Sequence, residues 1–366
     1  MKTIKPLFKS LLITSTVVLT SIHVVLGQKN IGPVVDAIIS KAMSDGQIPG
    51  AAVAVIQNGN VLYKNTYGVR SVNNKIPPDE NSVFSIGSVS KAFTAIGVMK
   101  LVEQNKISLD GPINKYLDKL PADWGEITIR QFMTHTSGIP QLNGIKDGNS
   151  FDSTIIKAAA LPLAFKPGTK QVYNNFNFAV MGKLIEKVSG LDYMTYMQQN
   201  VFGPAGMATT GVKPATDDVT TGHMPRKDKI VPITTHFETG DFGVPSGGLQ
   251  TTLADFIKLS SALDKNLLIT AVTKNIMWTP LPRHSNTPGW HSRKAGGELV
   301  VFKNGGGTGI GSECNYTIVP WRNLYVVIML NKFKNAGSSA TGLANAVLEQ
   351  CFKIPSDSGA DEGGGD

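Results

Sequence analysis

The chain is expected to fold as an α/β (α+β) protein, an antiparallel sheet flanked by helices. The sheet is built from both chain ends, with a mostly helical lobe inserted between them. Two observations lead there. Apolar β-type runs and helically spaced segments occur toward both termini, whereas residues 107–282 are punctuated by Pro, Gly, Asn and Thr and carry short helical pieces. Strands at the two ends around an irregular middle suggest one body assembled from both termini and a second lobe carried as an insertion.

Each element has its own signal. Residues 34–43 space their apolar side chains as a helix does. Residues 50–56 read as a strand, Asn58-Gly59 as a tight turn, and residues 61–67 as the hairpin partner. Residues 92–102 carry Phe93, Ile96, Val98, Met99, Leu101 and Val102 with no clean polar face. A helix apolar all round is a buried one. Residues 178–188 supply a helix in the middle segment. Strands return at 299–302, 314–319 and 324–330, with Gly305-Gly306-Gly307 after the first. The turn Pro320-Trp321-Arg322-Asn323 separates the last two, and residues 339–352 close the chain as a helix. The α/β body therefore spans 28–106 and 283–355, and the inserted lobe 107–282.

The termini point to export. Residues 1–27 combine Lys2, Lys5 and Lys9 with an apolar stretch over 11–26, and Val25 and Gly27 suit a cleavage site before Gln28. That stretch is short of the roughly 18–20 apolar residues of a membrane span. The expectation is a cleaved signal peptide, a periplasmic or secreted protein, and no stable membrane span after cleavage. Residues 356–366 hold four glycines and four acids, a composition expected to stay disordered.

Charge and composition narrow the chemistry. Loss of the three leader lysines takes the formal charge from +8 to +5. No run of five basic residues occurs, so nucleic acid is not an expected partner. The only cysteines, Cys314 and Cys351, offer no metal-ligand spacing; a disulfide and two buried thiols are both open readings. His223, His236, His284 and His291 show no ligand spacing either, and no metal or cofactor is expected.

The chemistry-bearing motif is Ser88-Val89-Ser90-Lys91, the one S-x-x-K of the chain. Residues three apart on a helix face each other, about 5–6 Å between Cβ atoms. A serine hydroxyl needs a base to take its proton, and a lysine serves once its pKa is lowered. Lys91 opens the apolar run, where desolvation disfavours its charged form. Two shorter motifs follow in order, Tyr173-Asn174-Asn175 (Y-x-N) and Lys303-Asn304-Gly305 (K-x-G). Y-x-N recurs at Tyr63-Lys64-Asn65, and K-x-G at Lys166-Pro167-Gly168 and Lys294-Ala295-Gly296. Their surroundings set those aside: Tyr63 lies in the hairpin before the serine, Lys166 in a loop, and Lys294 ahead of the apolar strand.

With these motifs in this order, the chain resembles the serine β-lactamase and penicillin-binding-protein superfamily, for which S-x-x-K and K-T-G are signatures. Within it the likeness is to the class C branch, with its DD-peptidases, D-aminopeptidases and family VIII esterases. Phe84-Ser85-Ile86-Gly87, Thr134-His135-Thr136-Ser137-Gly138, Phe165-Lys166-Pro167-Gly168, Pro245-Ser246-Gly247-Gly248-Leu249 and the loop 305–312 fit the same branch. The resemblance implies a β-lactamase/transpeptidase-like fold and an acyl-enzyme formed on Ser88. Lys91 and Tyr173 would share acid and base work, and Asn175 would orient Lys91 and bind the substrate amide. Lys303 would tune Tyr173 and meet a substrate carboxylate, with Asn304, Gly305 and Gly306 lining the same strand. The oxyanion hole would be the N–H groups of Ser88 and Gly306.

Two departures matter. Asn304 stands where the third motif usually has Thr, and Lys303 favours substrates bearing a carboxylate. The Thr-His-Thr-Ser-Gly stretch looks more like the DD-peptidase and esterase relatives. The expected function is an exported serine hydrolase acting on a β-lactam, D-Ala-D-Ala-type amide or related bond, on a small-molecule or peptidoglycan-derived peptide substrate. The rivals are a carboxylesterase or D-aminopeptidase on the same fold, and a penicillin-binding receptor with little turnover. His135 is expected to stabilise the turn at Ser137-Gly138 and not to complete a Ser-His-Asp triad. Gly307-Thr308-Gly309, between two strands, reads as a turn and not a phosphate loop. Trp278, Trp290 and Trp321 are expected in core or cleft packing.

Overall fold

The computed structural model describes residues 30–142, 150–214, 216–227, 229–233, 243–282, 285–333 and 339–356. The expected leader, His236, His284 and all but the first residue of the expected tail lie outside the described residues. The first half runs α1 (Gly32–Gly46), β1 (Gly50–Gln57), β2 (Asn60–Gly68), β3 (Val83–Ser85), α2 (Ser90–Glu103), α3 (Ile129–Met133), α4 (Phe151–Ala159), α5 (Phe176–Ser189), α6 (Tyr193–Met197) and α7 (Gly203–Ala205). The second half runs β4 (His223–Arg226), β5 (Lys229–Pro232), β6 (Gln250–Thr252), α8 (Leu253–Asp264), α9 (Ala271–Trp278), β7 (Asn286–Thr287), β8 (Trp290–Ala295), β9 (Glu298–Gly307), β10 (Ser312–Val319), β11 (Leu324–Leu330) and α10 (Ala340–Phe352).

Seven strands form the main sheet in the order β2-β1-β11-β10-β9-β8-β7. Every pairing in it is antiparallel. First and last strands of the chain therefore pair inside the sheet, with Ala54 opposite Val327 and Tyr316 opposite the same Val327. The middle of the chain contributes α3 to α9, the two-stranded sheet β4-β5, and β6, which pairs with β3 from ahead of the serine.

The period-two alternation of a strand explains why the sheet can be covered on both sides. Ala51, Val53, Val55, Val326, Ile328 and Leu330 face α1 and α10, where Val35, Ile39, Leu343 and Val347 close one core. Ala52, Ala54, Ile56, Val327, Met329, Tyr316 and Ile318 face the other way, toward Phe93, Ile96 and Phe256 of α2 and α8. With both faces buried, β11 reads as an unbroken apolar run and shows no polar alternation. Each such large aliphatic side chain contributes about 2 kcal/mol by leaving water.

Helix α2 is buried from Ser90 through Met99, as its lack of a polar face requires. Ser88 itself sits one step earlier, in a single 3-10 turn over Gly87–Val89. Three features depart from the sequence reading. Strand β9 does not stop near residue 302 but continues through Lys303 to Gly307, with Gly305 opposite Cys314 and Gly306 opposite Glu313. Glycines weaken a strand on propensity; here a close backbone neighbour leaves no room for side chains. The hairpin β7-β8 was not expected at all, because charged residues such as Arg293 and Lys294 hide the β pattern of an outer strand. Trp321 is also 81% exposed on its turn and not in core packing, whereas Trp278 and Trp290 are buried edge to face.

Candidate active site

The Ser88 turn is built by two glycines that face each other. Gly87 takes φ +51°, and a Cβ on it would lie 2.7 Å from the Gly306 nitrogen. A Cβ on Gly305 would fall 2.2 Å from the Ile86 oxygen and 2.6 Å from the Ser88 nitrogen. Only bare backbone allows that approach. Beyond Phe302, β9 has lost its pairing with β8, so its free edge lies against the serine turn while β10 holds the other. The backbone nitrogens of Ser88 and Gly306 are thereby brought to the same small region.

Lys91, the second residue of α2, is fully buried. Its Nζ lies 3.0 Å from Ser88 Oγ, 2.7 Å from Asn175 Oδ1 and 2.5 Å from the Ser246 carbonyl oxygen. The last two partners can only accept. Ser246 belongs to the turn Val244–Gly248, which is anchored to α2 because the Thr94 hydroxyl donates to the Pro245 carbonyl at 2.7 Å. Burial pushes the Lys91 amine well below its ordinary range, and the neighbouring Lys303 charge adds to the effect.

Tyr173 enters from the segment ahead of α5, its hydroxyl 2.5 Å from Ser88 Oγ. Burial raises the phenol, opposed by its bond to Ser88. Its ring lies between two amines, with Lys91 Nζ 4.8 Å and Lys303 Nζ 5.3 Å from the centroid. His135 holds the segment in place. The Val172 N–H donates to the His135 carbonyl at 2.9 Å, and the Asn174 N–H to His135 Nδ1 at 3.2 Å. The imidazole packs 4.6 Å from the Tyr173 ring. Asn177 Nδ2 also reaches Nδ1, at 3.0 Å, while Asn177 Oδ1 accepts from the Ser137 hydroxyl at 2.7 Å. His135 thus connects the Ser137-Gly138 turn to the tyrosine and makes no contact of a catalytic triad with Ser88.

Lys303 is buried on β9, directly across from Tyr316. Its Nζ lies 3.1 Å from Nε2 of His291 on β8. His291 Nδ1 in turn lies 2.5 Å from Asn286 Oδ1. Burial brings the Lys303 amine down to about 7. Among the described residues no carboxylate forms a salt bridge with Lys91 or Lys303. Asn304 pairs with Asn315, whose amide reaches Thr341 in the first turn of α10, so strand alternation puts Asn304 on the sheet face opposite Lys303.

The structure gathers Ser88, Lys91, Tyr173, Asn175, Lys303, Gly305 and Gly306 at one place, from α2, the entry to α5 and β9. Sequence reasoning gave no role to Ser246, His291 or Asn286. A backbone carbonyl leaves no residue-type signal, and the His291 contact depends on the unrecognised β8. The cysteines are thiols: Cys314 packs in the core under α2 and Cys351 against the core under α1, on opposite sides of the sheet. Among the described residues no group of three or more His, Cys, Asp or Glu side chains is arranged to hold a metal ion. No helix among them is long and apolar enough to cross a membrane.

Comparison with known proteins gives the class of protein that carries this site. Residues 35–349 match the Beta-lactamase family, and the chain is a member of it, within the serine β-lactamase and penicillin-binding-protein superfamily. It is 27% identical over 242 residues to Protein flp of Staphylococcus aureus strain NCTC 8325 / PS 47, covering 60% of this chain and 46% of that protein. It is 30% identical over 176 residues to Penicillin-binding protein 4* of Bacillus subtilis strain 168, covering 45% and 38%. The chain thus aligns with less than half the length of these relatives. The fold matches the octameric penicillin-binding protein homologue from Pyrococcus abyssi with a TM-score of 0.75 at 24% identity, over 88% of this chain and 78% of that one. It also matches a penicillin binding protein from Bacillus halodurans with a TM-score of 0.72 at 24% identity, over 86% and 99%.

Proposed function

We propose that the protein is an exported serine hydrolase of the class C β-lactamase-related branch, acting through an acyl-enzyme on Ser88. The observation that carries the proposal is the position of Ser88 Oγ between Lys91 Nζ at 3.0 Å and Tyr173 Oη at 2.5 Å. A neutral Lys91 has two N–H bonds, which Asn175 Oδ1 and the Ser246 carbonyl accept; its lone pair is then left for the serine proton. Burial lowers the amine and raises the phenol, so Lys91 is the base and Tyr173 enters the reaction protonated.

Ser88 Oγ attacks the substrate carbonyl while its proton passes to Lys91. The resulting oxyanion is met by the N–H groups of Ser88 and Gly306, each contributing about 3 kcal/mol. The C–N or C–O bond breaks as Tyr173 gives its proton to the leaving group, and Lys91 restores it. Water then hydrolyses the ester on Ser88. Lys303 supplies a positive charge for a substrate carboxylate, which favours β-lactams and D-Ala-D-Ala-type peptides, including peptidoglycan-derived ones, over uncharged esters. Asn175, with its oxygen committed to Lys91, has its amide N–H groups for the substrate carbonyl.

The test is a time course of intact mass with a penicillin, run beside a p-nitrophenyl ester. A transient adduct with steady consumption of the penicillin supports the proposal. A long-lived adduct without turnover identifies a penicillin-binding receptor, and ester turnover with no adduct an esterase. Export is tested separately, by the N-terminus of the mature protein recovered outside the cytoplasm.

A further inference from the structure

Among the described residues Lys303 has no acidic partner, and its side-chain hydrogen bond described above runs to an imidazole. Hydrogen-bond roles along that chain are fixed by geometry. The Thr134 carbonyl can only accept, so the Asn286 amide nitrogen, 3.4 Å away, donates to it and Asn286 Oδ1 faces His291 Nδ1. An oxygen there requires the proton of the imidazole on Nδ1. Nε2 is then a lone pair, and it accepts from the Lys303 ammonium at 3.1 Å. The imidazole is partly buried, with the Phe302 ring centroid 5.4 Å away.

We propose that His291 is a positioning residue, a neutral acceptor that holds the Lys303 ammonium beside Tyr173 so that it can meet the substrate's carboxylate. This inference rests on the acyl-enzyme reading of the site. An acceptor without charge fixes the lysine without neutralising it. A carboxylate at the same place would cancel the charge that the substrate is to find. A protonated His291 has no lone pair, so it would lose the bond and repel Lys303. The charged or titratable groups that surround it are Lys303 on β9, Lys91 on α2, His135 after α3 and Tyr173 ahead of α5. Burial, and after it the Lys303 charge, hold its pKa well below the ordinary range. The neutral state is therefore the working state at neutral pH, and Lys303 loses its acceptor only in acid.

Two arms test this. In the first, the 15N spectrum of the imidazole in the unliganded protein reports the tautomer without any substrate. Proton on Nδ1 with Nε2 as acceptor at pH 7 supports the proposal; proton on Nε2 overturns it, whatever the protein hydrolyses. In the second, kcat/KM is followed against pH for a carboxylate-bearing substrate and an uncharged ester. His291→Gln keeps an acceptor that does not titrate, and should retain most of the rate while losing the acid limb that His291 imposes. His291→Ala should lower kcat/KM for the anionic substrate about 10- to 100-fold through KM, with a smaller effect on the ester. Parental profiles for both variants, or equal losses on the two substrates, overturn it. If His291→Ala does not fold, the His291→Gln profile decides alone. A parent protein with the Nδ1 tautomer but no acylation would overturn the hydrolase reading instead.

Discussion

At the scale of single residues, the claim is about protons. In the proposed mechanism Lys91 is the base, because two carbonyl oxygens take its N–H bonds and burial disfavours its charge, leaving one direction, toward Ser88. Lys91→Arg tests this more sharply than alanine. Arginine places a fixed cation at the site and cannot give up its proton. Acylation by a penicillin should fall roughly 10²–10⁴-fold, measured by stopped mass spectrometry. A variant that acylates at the parental rate would mean that the amine acts as a charge and not as a base. Ser88, Lys91 and Tyr173 were legible in the sequence because S-x-x-K and Y-x-N are local patterns of chemically distinctive side chains. His291 was not, since its meaning comes from a cross-strand neighbour, Lys303, twelve residues away.

Between elements, the site depends on a backbone contact. Strand β9 and the serine turn approach so closely that Gly305 and Gly87 have no room for a methyl group. Gly305→Ala would place a carbon 2.2 Å from the Ile86 oxygen, so turn and strand must separate. The expected result is a loss of about 1–3 kcal/mol in denaturant unfolding and a fall in acylation rate well beyond it, since both oxyanion donors move. Gly307, with nothing within 4 Å of its notional Cβ, is the control: Gly307→Ala should leave the packing of the turn intact. Strands buried on both faces, such as β11, announced themselves as apolar runs, and α2 as an apolar helix without a polar side. Strands β7 and β8 lie at the sheet margin, where Asn286, His291, Arg293 and Lys294 mask the pattern, so the expected strand count fell short there.

For the molecule as a whole, the two buried amines oppose stability. Lys303 has a folded pKa of about 7 against an ordinary 10.5. Between those values the unfolded chain holds a proton that the folded chain lacks, so stability from this group rises with pH through that window. Below pH 7 the destabilisation is fully present. Lys303→Met, of similar length and able to fill the same space, should therefore raise Tm at pH 6 by roughly 3 °C, with the gain shrinking toward pH 10. A constant gain at all pH values would point to packing and not to charge. The fold class, a sheet joined from both chain ends, followed from where the apolar runs lie along the chain. The pairing of β1 with β11 within it is a long-range fact that no local pattern encodes. The account as a whole meets its most direct test in peptide mapping after exposure to a penicillin. It predicts a single acyl adduct on the peptide that contains Ser88, absent from Ser88→Ala. An adduct on any other peptide, or undiminished labelling of Ser88→Ala, would contradict it.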